Sequence, residues 1–220
     1  MTAPRIALIH ALDGSRGPIE SAFEERWPQA QIVNLLDDSL SVDRARDGQL
    51  TDAMIDRFVT LTQYAAKSGA DGVLFTCSAF HRAIDVAAAG VAIPVLKPDE
   101  AMMEAALECG NRLALLATFA PTLGTAQAEL ESKAEAAGSS VTVTSYHVPG
   151  ALVALQSGDE AGHAARIVEC AATVEPCDAV LMAQFTMAPV ASQIKVPGDV
   201  PVLTSPGTAV DKIKRVVLGT

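Results

Sequence analysis

The sequence predicts an α/β fold made of two pseudo-symmetric halves, each a parallel sheet with covering helices, facing each other across a central cleft. Three observations carry this. Segments repeat in one register: Arg5-Ile-Ala-Leu-Ile-His10 returns as Arg112-Leu-Ala-Leu-Leu-Ala117, and Asp71-Gly-Val-Leu-Phe-Thr-Cys77 as Asp178-Ala-Val-Leu-Met-Ala-Gln184. Ile93-Pro-Val-Leu96 returns as Val200-Pro-Val-Leu203, and all three offsets equal 107 residues. A constant period of this kind is the mark of a duplicated structural unit. Short apolar runs alternate with helical patterns along the chain, which implies parallel strands joined by right-handed crossovers. Val73, Leu74 and Phe75 form an unbroken apolar run ending in Thr76-Cys77-Ser78, as expected of a strand buried on both faces. The implied halves are 1–97 plus 205–220, carrying Cys77, and 98–204, carrying Gln184.

Taken in order, Arg5–His10 is the first strand and His10 to Ser15 the loop after it. Pro18 opens a helix to about Trp27, proline being suited to a first turn. Gln31–Leu35 is a second strand, and 37–48, polar and acidic without periodicity, reads as an exposed loop fit to act as a lid. Met54, Ile55, Phe58, Val59 and Leu61 recur at helical spacing within 51–67, with Gly69 as the stop. After the Cys77 strand come a helix over 79–89, a short strand at 94–96, and a helix from Pro98 to about Cys109. The second half repeats the plan: strand 112–118, a loop to Pro121, helix 123–137, and an edge-type strand 141–146 with alternating hydroxyl residues. Helix 161–174, strand 179–183, strand 202–204 and helix 208–218 complete it.

The 220 residues suffice for a large core, and 50% of them are hydrophobic. No apolar run reaches the ~18–20 residues of a membrane span. The start runs straight into the first strand, so no signal peptide is expected and a cytoplasmic location is. A net charge of −10 argues against nucleic acid as a partner, while backbone N–H groups and hydroxyls still suit a small anion. The four cysteines lack CxxC spacing and the density of a disulfide scaffold. Cys109, Cys170 and Cys177 read as small apolar residues.

Cys77 stands apart because it ends a central strand, at the carboxyl edge where α/β sheets bind ligands. At a helix start its thiolate should be favoured. Such a thiolate, with an ordinary thiol value near ~8.5, can take a proton from carbon beside a carboxylate and return it. The enediolate so formed needs donors. Ser15, Thr76, Ser78, Thr118, Thr122 and Thr186 all fall at strand ends or the loops following them, and His10 ends the first strand. Gln184 takes the Cys77 position in the second half, with Phe185 beside it. His81, four residues past Cys77, lies one helical turn on. His147, His163 and Lys97 read as surface groups. The chemistry needs no metal and no organic cofactor.

Cys77-Ser78-Ala79-Phe80-His81 resembles the Cys-Asn-Thr-Ala-His motif of the aspartate/glutamate racemase superfamily, which includes hydantoin racemases, maleate isomerases and arylmalonate decarboxylases. The resemblance spans essentially the whole chain. It implies a cofactor-independent enzyme acting on a small carboxylate-bearing substrate, and relatives that are often dimers or larger, so a homo-oligomer is an expectation. It also implies catalytic roles for Cys77 and His81. Two-base members carry Cys-Thr after the second-half strand, where this chain reads Gln184-Phe185-Thr186. An amide cannot deliver a proton at neutral pH. The leading expectation is therefore a racemase or isomerase, with three others beside it. One is a single-cysteine decarboxylase, although those relatives keep the second cysteine rather than the first. Another is transient thiol addition to a double bond, as in cis–trans isomerisation. The third is a small-acid binding protein without turnover. A Gly-x-Ser-x-Gly hydrolase elbow does not occur.

Overall fold

The computed structural model describes residues 3–220; Met1 and Thr2, part of the segment read as lacking a signal peptide, lie outside the described residues. The chain forms two compact units, one running to Glu100 and including Ala209–Thr220, the other Ala101–Thr208.

The first unit contains β1 (Arg5–His10), α1 (Arg16–Arg26), β2 (Gln31–Leu36), α2 (Ser39–Asp47), α3 (Asp52–Lys67), β3 (Gly72–Phe75), α4 (His81–Ala88) and β4 (Val95–Leu96). All pairings are parallel and the sheet order is β2-β1-β3-β4. The two central strands are almost wholly buried and the edge strand β2 is not, as expected where helices cover both faces. The core gathers Ile9, Phe58, Val73, Phe75, Phe80 and Ile84. Thr51 caps α3 by accepting from the Met54 N–H at 3.3 Å, and Gly69, at φ +82°, supplies the left-handed residue that stops it.

The second unit follows the same plan. It contains α5 (Glu100–Cys109), β5 (Arg112–Ala117), α6 (Ala120–Ala136), β6 (Thr142–His147), α7 (Ala151–Gln156), α8 (Glu160–Ala171), β7 (Ala179–Met182) and β8 (Val202–Thr204). The final helix α9 (Ser205–Leu218) leads back into the first unit. Sheet order is β6-β5-β7-β8, again all parallel. Ile6 pairs with Gly72 and Leu113 with Ala179; Val73 pairs with Val95 and Val180 with Val202. Each second pair is the first moved by 107 residues. The repeated aspartates have a physical reason. Asp71 accepts from the Arg5 N–H at 2.7 Å and Asp178 from the Arg112 N–H at 2.9 Å, so each satisfies the first donor of the neighbouring strand.

Three expectations are corrected. The segment 37–48 is not an exposed loop: α2 forms there, with Leu40 fully buried. Arg57 of α3 draws it in by binding Asp37 at 2.9 Å and Asp43 at 2.7 Å. The thiolate-favouring helix start is replaced at Cys77 by an extended residue followed by a 3-10 turn over Ser78–Phe80. His163 is buried, not on the surface, with its ring nitrogens 2.9 Å from the Ala151 carbonyl and 3.3 Å from that of Thr186. Helix α7 and the 3-10 run Phe185–Gln193 add to the expected elements. No helix among the described residues is long and apolar enough to cross a membrane.

Candidate active site

The first unit carries Cys77 two residues beyond β3, between two buried phenylalanines, Phe75 and Phe80. Phe58 of α3 packs on both rings, with centroids 5.0 and 4.9 Å away. The thiol is partly buried. Burial pushes it up, the Ala79 N–H pulls it down, and the nearby Asp99 charge pushes it up again; the net direction is upward. This corrects the expected helix-start stabilisation, because desolvation of an anion outweighs one backbone donor. The group is therefore a neutral thiol at neutral pH.

His81 begins α4, and its Nε2 lies 2.9 Å from Asp99 Oδ1. The two atoms lack hydrogen-bond alignment, and the pair carries opposite charges only when the ring is protonated. Asp99 was not read from the sequence. Its signal was an acidic residue just after a strand that neighbours the cysteine strand. Lys97, expected to be solvated, instead contacts Asp85 of α4 at 2.9 Å.

His10, Ser15 and Thr76 are brought together, but inward. All three are buried. His10 Nδ1 lies 2.8 Å from Thr76 Oγ1, and Thr76 Oγ1 lies 2.9 Å from Ser15 Oγ. The Ser15 hydroxyl has one proton for two acceptors, Thr76 Oγ1 and the Leu12 carbonyl at 2.7 Å. The other side of the ring fixes its tautomer. Arg16 donates to Glu20 at 2.9 Å and holds that carboxyl below the usual range, so Glu20 can only accept. Asn34 must then turn its NH2 to Glu20, at 2.8 Å, and its oxygen to His10 Nε2, also at 2.8 Å. Neutral His10 thus carries its proton on Nε2 and accepts the Thr76 hydroxyl proton at Nδ1. The chain braces the strand end next to Cys77. Sequence reasoning missed Asn34, whose signal was a lone amide within the apolar edge strand β2.

Burial lowers His10 below the ordinary histidine value. The unfolded ring binds a proton below about pH 6.5 while the folded ring does so only at lower pH, so protons favour unfolding in that window. Stability is full above it and falls as pH drops through it. His10→Gln is expected to flatten this decline between about pH 7 and pH 5, measured as the urea midpoint against pH. Equal slopes in the two proteins would refute a buried neutral His10.

In the second unit Gln184 sits in extended backbone beyond β7, before the 3-10 run. Its Oε1 accepts from Thr118 N at 2.7 Å, Thr118 Oγ1 at 2.9 Å and Phe119 N at 3.3 Å. The side chain therefore fills the donors at the start of α6 and leaves its amide nitrogen with no acceptor among the described residues. Thr122 is partly buried in the first turn of α6. Phe185 is buried, and Thr186 Oγ1 is buried with no hydrogen-bond partner among the described residues. Ser78 is partly buried in the turn after Cys77. Cys109 is exposed and bonded to the Ala105 carbonyl, while Cys170 and Cys177 are partly buried.

Two four-stranded parallel sheets with flanking helices, with a thiol at the end of one central strand, define a class of α/β protein. The solved structures similar to this chain have that fold. They include glutamate racemase isoform RacE1 from Bacillus anthracis (TM-score 0.70, 16% identity, 100% of this chain and 83% of that one). Allantoin racemase from Klebsiella pneumoniae is another (0.69, 18%, 98% and 89%), and an aspartate racemase homologue from Pyrococcus horikoshii a third (0.71, 16%, 99% and 100%). No curated protein sequence matches. The Asp/Glu/hydantoin racemase family model matches residues 19–213, and the chain belongs to that family.

Proposed function

We propose that this protein is a cofactor- and metal-independent enzyme of racemase or isomerase type. It transfers a proton at the carbon next to a carboxylate of a small acid, with Cys77 as the proton-carrying group. The observation that carries this reading is the only strand-end cysteine of the repeat, at the carboxyl edge of β3, in a chain of the racemase family. In the exchange step the thiolate form of Cys77, the minor form at neutral pH, takes the proton and the C–H electron pair moves onto the carboxylate as an enediolate. Return of the proton from sulfur closes the step. Ser78 and the backbone N–H groups of the turn that follows Cys77 are the proposed donors for the developing charge. The substrate carboxylate is the proposed partner, with a cytoplasmic setting and a homo-oligomeric assembly.

A second reading is favoured by Gln184. With Oε1 engaged three times and an amide that has no titratable proton, the second strand end supplies no acid. A single neutral thiol suits one-sided protonation of a carbanion left by loss of carbon dioxide, the decarboxylase type.

Proton NMR in heavy water over small chiral acids, hydantoins, substituted malonates and maleate separates these readings. Deuterium uptake with loss of optical purity supports the racemase. Uptake with retained configuration, or a lost carboxyl group, supports one-sided chemistry, and fumarate from maleate supports thiol addition. Turnover that persists in Cys77→Ala overturns the assignment of the thiol. Binding without any turnover leaves a small-acid binding protein.

A further inference from the structure

We propose that Asp99 is a positioning residue for Cys77, acting through His81 and through its own charge. The inference rests on the reading of Cys77 as the proton-carrying group and adds a residue to that site.

Topology places the two together. Strands β3 and β4 pair with Leu74 opposite Leu96. Cys77 lies three residues beyond Leu74 and Asp99 three beyond Leu96, so both arrive at the same edge of the first sheet. Asp99 is 2% exposed. A buried carboxylate is costly unless it is paired, and its partner is His81 at 2.9 Å. A second ion contact, Lys97 with Asp85 at 2.9 Å, ties the same loop to the same helix. The segment after β4 is thus fastened to α4 at two points, His81 and Asp85, one and two turns beyond the thiol.

The repeat supplies an independent observation. Moved by 107 residues, Cys77, His81 and Asp99 correspond to Gln184, Ala188 and Pro206. The three ionisable groups are present together in one half and absent together from the other. A pair needed only to hold the loop would have no reason to vanish with the thiol.

The charges around the thiol have opposing effects. Asp99 opposes ionisation of Cys77, and His81 offsets that charge when it is protonated. Lys97 is engaged by Asp85, and Glu100, next in sequence, contacts Lys212 at 3.1 Å. Removing the carboxylate should therefore ease ionisation of the thiol, whereas removing the imidazole leaves the opposing charge in place.

The test is iodoacetamide alkylation of the full chain across pH, read by mass on the peptide carrying Cys77. Asp99→Asn is expected to lower the midpoint by about one pH unit, roughly tenfold in rate at a fixed pH below it. His81→Gln leaves the Asp99 charge in place and is expected not to lower the midpoint. A fall in His81→Gln, or an Asp99→Asn profile that does not move, overturns the proposal. Should Asp99→Asn fail to fold by circular dichroism, Asp99→Ser takes its place: a fall in the midpoint supports the proposal, and no change or a rise overturns it. Alkylation needs no substrate. A failure of the functional reading, turnover persisting in Cys77→Ala, is therefore distinguishable from a failure here.

Discussion

Cys77→Ala is expected to lower turnover on any accepted substrate by roughly 10³-fold, the usual contribution of one positioned proton-transfer group. The fold should hardly notice. The thiol is partly buried and accepts from the Ala79 N–H, so the urea midpoint should shift by less than the equivalent of about 1 kcal/mol. Cys77→Ser is the sharper variant. It keeps nearly the same shape and a hydroxyl, but a hydroxyl is far too weak an acid to replace the thiol at neutral pH. The loss should therefore be nearly as deep as for alanine, and it should fall on kcat more than on KM, since the group acts on the transferring proton. A serine variant with more than about a tenth of the parent activity would mean that Cys77 only fills space. Deuterium uptake at substrate carbon is the most direct readout, because it registers proton transfer even where no net product forms.

The strand ends that carry the candidate site are legible in the sequence, and the reasons are local. A buried parallel strand is apolar from end to end, so Val73-Leu74-Phe75 and Val180-Leu181-Met182 announced themselves, and their common offset exposed the repeat. The edge strands did not repeat visibly. Gln31 lies opposite Arg5 and Thr142 opposite Arg112, so from β2 to β6 the offset is 111 rather than 107 residues, and half-exposed edges tolerate almost any polar residue. Helix α2 was invisible to periodicity because it buries one residue, Leu40, and is drawn in by an arginine from another helix. The buried side chains at the site point the same way. His10 and Thr76 sit side by side only because β1 and β3 are neighbours, with Ile9 opposite Phe75. Asp99 and His81 meet only through the pairing of β3 with β4. Residue types at strand ends are legible; which of them turn inward to one another depends on strand order. The hydroxyls of Ser15 and Thr76 show this most plainly, being spent on a histidine and on each other.

Phe58→Ala is expected to destabilise the protein by about 3–5 kcal/mol, the range for removing a buried aromatic ring from a packed core. Phe58 is 1% exposed and stacks on Phe75 at an interplanar angle of 22° while meeting Phe80 at 33°. Those two rings stand on either side of Thr76-Cys77-Ser78-Ala79, so one side chain from α3 holds both ends of the turn that presents the thiol. Its removal leaves a cavity that rigid aromatic neighbours cannot easily fill. The corresponding positions of the second half are Met182 and Met187, both fully buried. Methionine adapts to gaps where phenylalanine does not, so the half with the thiol is the half with the stiff clamp. Urea unfolding should show the loss as a lower midpoint at an unchanged slope. Cys77 in the variant should also react faster with iodoacetamide in native buffer, because the turn loosens before the fold is lost. A loss below about 1 kcal/mol, or unchanged thiol reactivity, would mean that the aromatic cluster is not what fixes the turn.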